Sequence, residues 1–128
     1  MSWRRVDRRA LELLHDESLA THGGAGGLRD EGLFESALAR PLHLAAYGSP
    51  DVWDLAASHG IGLAKDHPFV DGNKRTAFLA VGMFLVLNGW RLTAPQADAT
   101  LTMLAVASGQ MDEAAFARWL RQHGQKRK

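Results

Sequence analysis

The run from Ala77 to Leu87 constrains the fold more than any other part of the chain. Every residue in it except Gly82 is apolar. The run is well short of the roughly 20 apolar residues that a membrane span needs. A helix that is apolar nearly all round is instead buried in protein. We therefore expect a central helix from Asn73 to Asn88, ended by Gly89.

Apolar spacing and capping residues predict five further helices, which would make an all-α, compact bundle of about six helices with little room for a sheet. Residues 21–27 contain four glycines and are expected to form a flexible connection. Residues 42–50 have no firm period, which fits a turn or a small hairpin. The five predicted helices are residues 6–19, 30–40 capped by Asp30 and closed by Pro41, 51–65 capped by Asp51, 95–107 ending near Gly109, and 112–123 capped by Asp112.

The composition is that of an ordinary folded protein. A chain of 128 residues with 46% hydrophobic content predicts one domain over residues 1–128, with its core at about 6–122 and a basic tail at 124–128. The absence of cysteine and of an apolar leader in Met1–Arg5 fits a cytoplasmic protein without a membrane contact. A net charge of +1 is too small to predict direct nucleic-acid binding.

The segment from His67 to Arg75 predicts an anion site at the start of the apolar helix. A helix start leaves backbone N–H groups unpaired and carries the positive end of the helix dipole. Gly72 permits an open turn, Asn73 can cap the helix, and Lys74 and Arg75 add two positive side chains. Together these features suit a phosphate group.

Two other residues of this segment point to chemistry rather than simple anion binding. A carboxylate at Asp71 would repel phosphate unless it held a divalent cation such as Mg²⁺, which prefers oxygen ligands. His67 is a candidate general base, because a neutral imidazole can accept a proton near neutral pH. Each residue alone also has a structural explanation, but base, metal ligand and anion donors within nine residues fit phosphoryl transfer.

The run His-Pro-Phe-Val-Asp-Gly-Asn-Lys-Arg-Thr-Ala from His67 to Ala77 resembles the signature loop of the Fic/Doc superfamily, and specifically its Doc branch. Residues 28–33, residues 35–41 and the Asn88–Gly89 pair extend the resemblance over most of residues 6–122. Typical Fic proteins transfer AMP from ATP to a protein hydroxyl. Here Lys74 replaces their second loop glycine and Phe78 replaces their final arginine, which argues against AMP transfer in the usual pose.

The resemblance to the Doc branch implies a toxin that transfers the γ-phosphoryl group of ATP to a threonine of elongation factor Tu and so blocks translation. It implies that His67 is the general base and Asp71 the magnesium ligand. The implied phosphate-binding groups are Asn73, Lys74, Arg75 and the amide of Gly72.

The resemblance also implies a Phd-type antitoxin as a partner. The four arginines near the start of the chain would suit an acidic antitoxin segment, and residues 42–50 lie where Fic proteins have a flap that aligns the target peptide. Two other functions stay open. One is an AMP transferase that tolerates Lys74, and the other is a non-enzymatic module that binds a nucleotide or an antitoxin. The four arginines are Arg4, Arg5, Arg8 and Arg9.

Overall fold

The computed structural model describes residues 3–127 and contains six helices and two short strands. The predicted helices are all present, with boundaries that differ most for the second. In chain order the elements are α1 (Arg8–His22), α2 (Glu31–Tyr47), α3 (Val52–Asp66), α4 (Asn73–Leu87), β1 (Trp90–Leu92), α5 (Gln96–Ser108), α6 (Glu113–His123) and β2 (Gly124–Lys126).

Aspartate caps begin four of the helices. The side chains of Asp30, Asp51 and Asp112 each accept a hydrogen bond from the backbone three residues later, which confirms the three predicted caps. Asp7 does the same for α1. Asp54 completes a capping box at α3 by accepting from the backbone of Asp51. Each cap satisfies an N–H that the helix leaves unpaired, which stabilises the helix by about 1 kcal/mol.

The apolar helix predicted from the sequence is α4, and it packs against α1, α3 and α5. Its outer side leaves Leu79 and Val86 partly exposed, whereas twelve of the fifteen residues of α3 are buried. Alanines and glycines in α3 let α2, α4 and α6 approach it closely. Within residues 3–127, none of the helices combines the length and apolar content that crossing a bilayer requires.

Gly60 lies where α3 meets α4 and α6. A Cβ added at Gly60 would lie 2.7 Å from Phe116 Cε2 and 2.9 Å from Val81 Cγ2. We expect Gly60→Ala to destabilise the protein, because overpacking costs about 1–3 kcal/mol and exceeds the gain of about 0.5–1 kcal/mol in helix propensity. Gly82→Ala in α4 is the control, since nothing lies within 4 Å of its added Cβ, and it should stabilise. Urea unfolding measures the stability of both variants relative to the wild type. A Gly60→Ala protein at least as stable as the wild type would contradict the prediction.

The second helix is longer than predicted, and the expected stop at Pro41 is wrong. Helix α2 continues through Pro41 to Tyr47 and ends at Gly48. A proline inside a helix removes one backbone hydrogen bond, but the ring of Pro41 is buried, and burial of its apolar surface opposes that loss. The predicted turn or hairpin at 42–50, and with it a hairpin flap at that place, is therefore not formed.

A small antiparallel sheet joins β1, which follows α4, to β2, which follows α6. Trp90 pairs with Lys126, and Leu92 pairs with Gly124. Residues 124–126, expected in a basic tail, instead form β2, and Lys128 lies outside the described residues. Gly124 lies against Trp53, where an added Cβ would overlap the indole ring. The strand thus covers one end of α3.

Candidate functional site

The predicted site residues line one cleft of about 960 Å³ between α1, α4 and α5. The α4 side contributes Phe78 and Leu79, α1 contributes Ser18 and His22, and α5 contributes an apolar wall that includes Met103. The structure thus brings together every residue to which the sequence analysis gave a chemical role. These are His67, Asp71, Gly72, Asn73, Lys74 and Arg75.

His67 ends α3 in a left-handed backbone conformation, with φ 51° and ψ 57°. Within residues 3–127 it is the only residue other than glycine with a positive φ. Such a conformation is strained for a histidine and persists only where the surroundings enforce it. Its side chain is exposed, so the turn points the imidazole out of the helix end into the cleft that it lines.

Arg29 is one of the groups that hold this turn, and the sequence analysis gave it no role of its own. Its Nε donates to the carbonyl of His67 at 2.7 Å, and its Nη2 donates to the carbonyl of Asp66 at 2.8 Å. These carbonyls belong to the C-terminal end of α3, where helical partners are missing and the dipole favours a cation. Arg29 therefore fixes the backbone that carries His67.

The residues just before α2 pair in extended conformation with the motif segment and hold it in place. Leu28 forms a β-bridge with Phe69. The backbone N–H groups of Arg29 and Asp30 donate to Pro68, and that of Val70 donates to Gly27. Phe69 is buried and Pro68 is fully enclosed. Pro68 and Phe69 thus anchor the segment in the core, while its polar side chains and the exposed Val70 line the cleft.

Asn73 does not cap α4, contrary to the sequence prediction. It is the first residue of the helix and is 8% exposed. Its Oδ1 accepts from the Phe69 N–H at 2.9 Å, and its Nδ2 donates to the Phe69 carbonyl at 3.0 Å. This pair of bonds closes the loop onto itself. The side chain of Asn73 is therefore committed to the loop, and only its backbone N–H can serve an anion.

The N-terminus of α4 is left open by this arrangement. Gly72 precedes the helix in the left-handed region, with φ 76°, and no side chain of the described residues caps the first turn. Unpaired N–H groups at the start of a helix of 15 residues attract an anion. Lys74 and Arg75 lie in this first turn, and both are exposed. The start of α4 can thus bind phosphate through backbone and side chains together.

The Asp71 carboxylate is exposed and faces the glycine-rich segment. Its Oδ1 accepts from the Gly72 N–H at 2.8 Å, and its Oδ2 lies 3.4 Å from the Ala25 N. A Cβ at Gly24 would lie 2.8 Å from that Oδ2. Residues 21–27, expected to be only a flexible connection, therefore form one side of the site.

A cation at Asp71 would need ligands beyond the protein. Within residues 3–127 no three His, Asp or Glu side chains come together as a ready metal cluster. Magnesium is commonly held by one or two carboxylates, with substrate phosphates and waters as its other ligands. A single exposed carboxylate beside an open helix start fits that mode of binding.

His15 of α1 is a second residue that the sequence analysis missed. It is 3% exposed, and its Nε2 lies 2.7 Å from the carbonyl oxygen of Asp71. A signal was present, because Leu11, His15 and Ser18 share one buried helical face. A histidine on such a face is often a satisfied core residue, and only the folded structure shows that its partner is the motif loop.

Arg8 is not free to meet an acidic partner, although the sequence analysis grouped it with a basic surface. Its guanidinium binds the carboxylates of Glu31 and Glu35 and lies over the ring of Phe34, 4.8 Å from the centroid. The hydrogen bond from Arg8 lowers the pKa of Glu31. Arg8 therefore joins α1 to α2. Among residues 3–127, the side chains of Arg4, Arg5 and Arg9 form no ion pair, so they are the basic groups left for a partner.

The family model for the Fic/DOC family matches residues 5–85 of this chain, which include α1 to α3, the motif loop and all but the last two residues of α4. Two curated proteins are similar. "Toxin Doc" from Mycolicibacterium smegmatis is 47% identical over 75 residues, which is 56% of this chain and 57% of that protein. "Protein kinase doc" from Escherichia phage P1 is 32% identical over 119 residues, which is 92% of this chain and 94% of that protein.

Proposed function

Because this chain belongs to the Fic/DOC family, we propose that it is the toxin of a toxin–antitoxin pair and that it phosphorylates a protein hydroxyl. The donor would be the γ-phosphoryl group of ATP, and the acceptor a threonine or serine, with elongation factor Tu as the first target to test. One observation carries the proposal: an exposed histidine, an exposed carboxylate and an uncapped helix start that carries Lys74 and Arg75 share one cleft. The names of the two relatives, a toxin and a protein kinase, agree with it.

The proposed reaction assigns one task to each group. The imidazole of His67 takes the proton of the target hydroxyl as that oxygen forms a bond to the γ-phosphorus. The bond between the γ-phosphorus and the β,γ-bridging oxygen breaks, and ADP leaves with the electron pair. The Gly72 and Asn73 amides with Lys74 and Arg75 hold the phosphates. Asp71 would hold a magnesium ion, which would supply positive charge to the phosphate groups.

Lys74 supports phosphate transfer over AMP transfer. It is the second residue of α4 and is exposed beside the open helix start. A glycine there would let a pyrophosphate lie against the backbone, whereas a lysine side chain occupies that space and places a cation near the terminal phosphate. Phe78, one turn farther along α4, lines the cleft without offering a donor to phosphate.

The proposed partner is a Phd-type antitoxin, and the proposed location is the cytoplasm. An acidic, amphipathic segment of such a partner would meet complementary groups in the cleft. Lys74 and Arg75 supply positive charge, while Leu79, Met103 and Leu104 supply an apolar wall. Occupation of the cleft by the antitoxin would exclude the nucleotide and the target together.

The proposed function is tested by intact-mass spectrometry of purified elongation factor Tu after incubation with this protein, Mg²⁺ and ATP. We expect a gain in mass equal to one phosphate. A gain equal to one AMP would support the transferase alternative and would mean that Lys74 does not redirect the nucleotide. An unchanged mass would remove elongation factor Tu as the target, and the same assay on a cell lysate with γ-labelled ATP would then test the reaction itself.

The contact between Gly24 and Asp71 predicts a defect in metal use. We expect Gly24→Ala to raise the Mg²⁺ concentration needed for half-maximal nucleotide binding, because the new Cβ would push the carboxylate from its place. Gly23→Ala is the control. Both glycines have a positive φ, but nothing lies within 4 Å of a Cβ at Gly23. Titration of nucleotide binding with Mg²⁺ compares them, and equal Mg²⁺ requirements would refute the assigned contact.

A further inference from the structure

We propose that His15 is a positioning residue that sets which way the peptide between Asp71 and Gly72 faces, and thereby points the Gly72 N–H at the phosphate site. The inference rests on the proposed function only for the identity of the bound anion as a phosphate. The orientation of the peptide by His15 does not depend on which anion binds. His15 lies on α1, more than fifty residues from the motif in sequence, at a separation of 56.

The contacts of His15 fix both its ring and its proton. The Nε2 atom lies 2.7 Å from the Asp71 carbonyl oxygen. A carbonyl oxygen can only accept, so Nε2 must carry the hydrogen. The imidazole also stacks on the ring of Phe69, with centroids 3.8 Å apart and planes 11° from parallel. Phe69 is itself 4% exposed, so the histidine cannot turn away without opening the core.

The orientation of one peptide follows from this bond. No peptide bond among residues 3–127 is cis, and in a trans peptide the C=O and N–H point in opposite directions. Holding the Asp71 carbonyl against His15 therefore turns the Gly72 N–H away from α1. That N–H now donates to Asp71 Oδ1 at 2.8 Å, on the side of the loop that lines the cleft.

The residue at position 72 is what makes such a restraint necessary. Glycine has nearly equal access to positive and negative φ, so the peptide preceding Gly72 can rotate at little conformational cost. After such a rotation the carbonyl oxygen, with its partial negative charge, would face the anion in place of the N–H. His15 opposes the rotation through the hydrogen bond and through its position beneath Gly72, where an added Cβ would lie 3.8 Å from its ring.

Simple packing would account for the burial and the stacking, but not for the polar contact. A pair of variants separates the two contributions. His15→Phe keeps an aromatic ring against Phe69 and removes the donor. His15→Gln loses the ring but can place an amide N–H near the position of the imidazole Nε2. If His15 acts by positioning the peptide, the donor matters for the anion site and the ring matters for stability.

The first experiment measures nucleotide binding by calorimetry with Mg²⁺ and AMP-PNP, an ATP analogue that cannot transfer its terminal phosphoryl group. We expect His15→Phe to bind roughly tenfold more weakly than the wild type, as loss of the hydrogen bond to a part-buried carbonyl implies. We expect His15→Gln to restore most of the affinity. Equal affinity of His15→Phe and the wild type, or an equal loss in both variants, overturns the proposal.

The second experiment needs no nucleotide, and its first measurement needs no substitution. Long-range ¹H–¹⁵N spectra of the wild type report which ring nitrogen of His15 is protonated, and we expect a proton on Nε2 at neutral pH. A bare Nε2 overturns the proposal. If the wild type fails to bind AMP-PNP, the proposed function fails instead. The tautomer, together with a shift of the Gly72 amide resonance in His15→Phe but not in His15→Gln, still decides the role of His15.

Discussion

Replacement of His67 by alanine is expected to reduce phosphate transfer by at least about a hundredfold, because a positioned general base contributes on the order of 10²–10⁴ in rate. The side chain is exposed at the cleft, so its loss removes a reactive group and leaves the core intact. The expected change is in kcat, whereas the affinity for MgATP should change little, since the proposal assigns the phosphates to other groups.

His67→Ala alone does not separate the loss of the imidazole from backbone strain at this position. A residue with φ 51° and ψ 57° is strained when it is alanine, and the strain costs about 1 kcal/mol. Asparagine tolerates this conformation better and offers no base near neutral pH. We therefore expect His67→Asn to be as inactive as His67→Ala while unfolding at nearly the wild-type urea concentration.

The measurement is the initial rate of phosphate incorporation into the target, with His43→Ala as the matched variant. His43 is an exposed histidine of α2 that does not line the cleft, and its replacement should leave the rate unchanged. Wild-type rates from both His67 variants would refute general base catalysis by His67. In that case another group would have to accept the proton of the target hydroxyl. The non-enzymatic alternative, a module that binds a nucleotide or the antitoxin, would gain support only if the wild type itself transferred no phosphate.

The helices were predictable because their signals are local. Asp30, Asp51 and Asp112 cap the helices they were expected to cap. The end of α2 was not predictable on those terms, because tertiary burial of Pro41 decides whether the helix continues. The sheet was missed for a related reason: the pairing of Trp90 with Lys126 depends on the fold bringing distant short segments together.

The position of the candidate site was predictable from its motif, but the residues that hold the motif loop were not. His67, Asp71 and Lys74 are close in sequence, so their proximity in the cleft follows from one loop and one helix start. Arg29 and His15 reach this loop from other elements. Asn73 was assigned to the wrong task because a cap and a loop clamp use the same residue type. The sequence pattern thus locates reactive groups better than the residues that hold them.

The second large effect concerns His59, a buried histidine outside the cleft. It is 2% exposed, and its Nε2 has no hydrogen-bond partner within the described residues. Its ring lies 4.9 Å from that of Phe84 and lines a cavity of about 250 Å³, whose rim carries Arg5, Asp7, Arg8 and Glu35. Burial lowers the pKa of His59 from 6.5 to about 4, because the low-dielectric interior disfavours the charged form.

A lowered pKa in the folded state makes stability depend on pH in one direction. Below about pH 6.5 the unfolded chain binds a proton at His59 that the folded chain does not, so stability falls as the pH falls toward 4. The stability that neutral His59 contributes is fully present above the unfolded-state pKa of 6.5. It is lost progressively as the pH falls to the folded-state pKa of about 4, and below that value no more is lost. At about 1.36 kcal/mol per pKa unit, the loss amounts to roughly 3 kcal/mol, a large part of the stability of a small domain.

His59→Phe should remove this dependence, since it keeps an aromatic ring beside Phe84 and cannot be protonated. Urea unfolding at about pH 7 and about pH 4.5 measures the free energy of unfolding. Relative to the wild type, this free energy should be higher for His59→Phe at the lower pH than at about pH 7, by a few kcal/mol. His43→Phe, at an exposed histidine, controls for the loss of an imidazole. Carboxylates also titrate in this range, but all three proteins contain the same carboxylates. The difference in unfolding free energy between His59→Phe and the wild type therefore reports on His59. Parallel curves for His59→Phe and the wild type would mean that His59 is already protonated, or hydrated, in the folded protein.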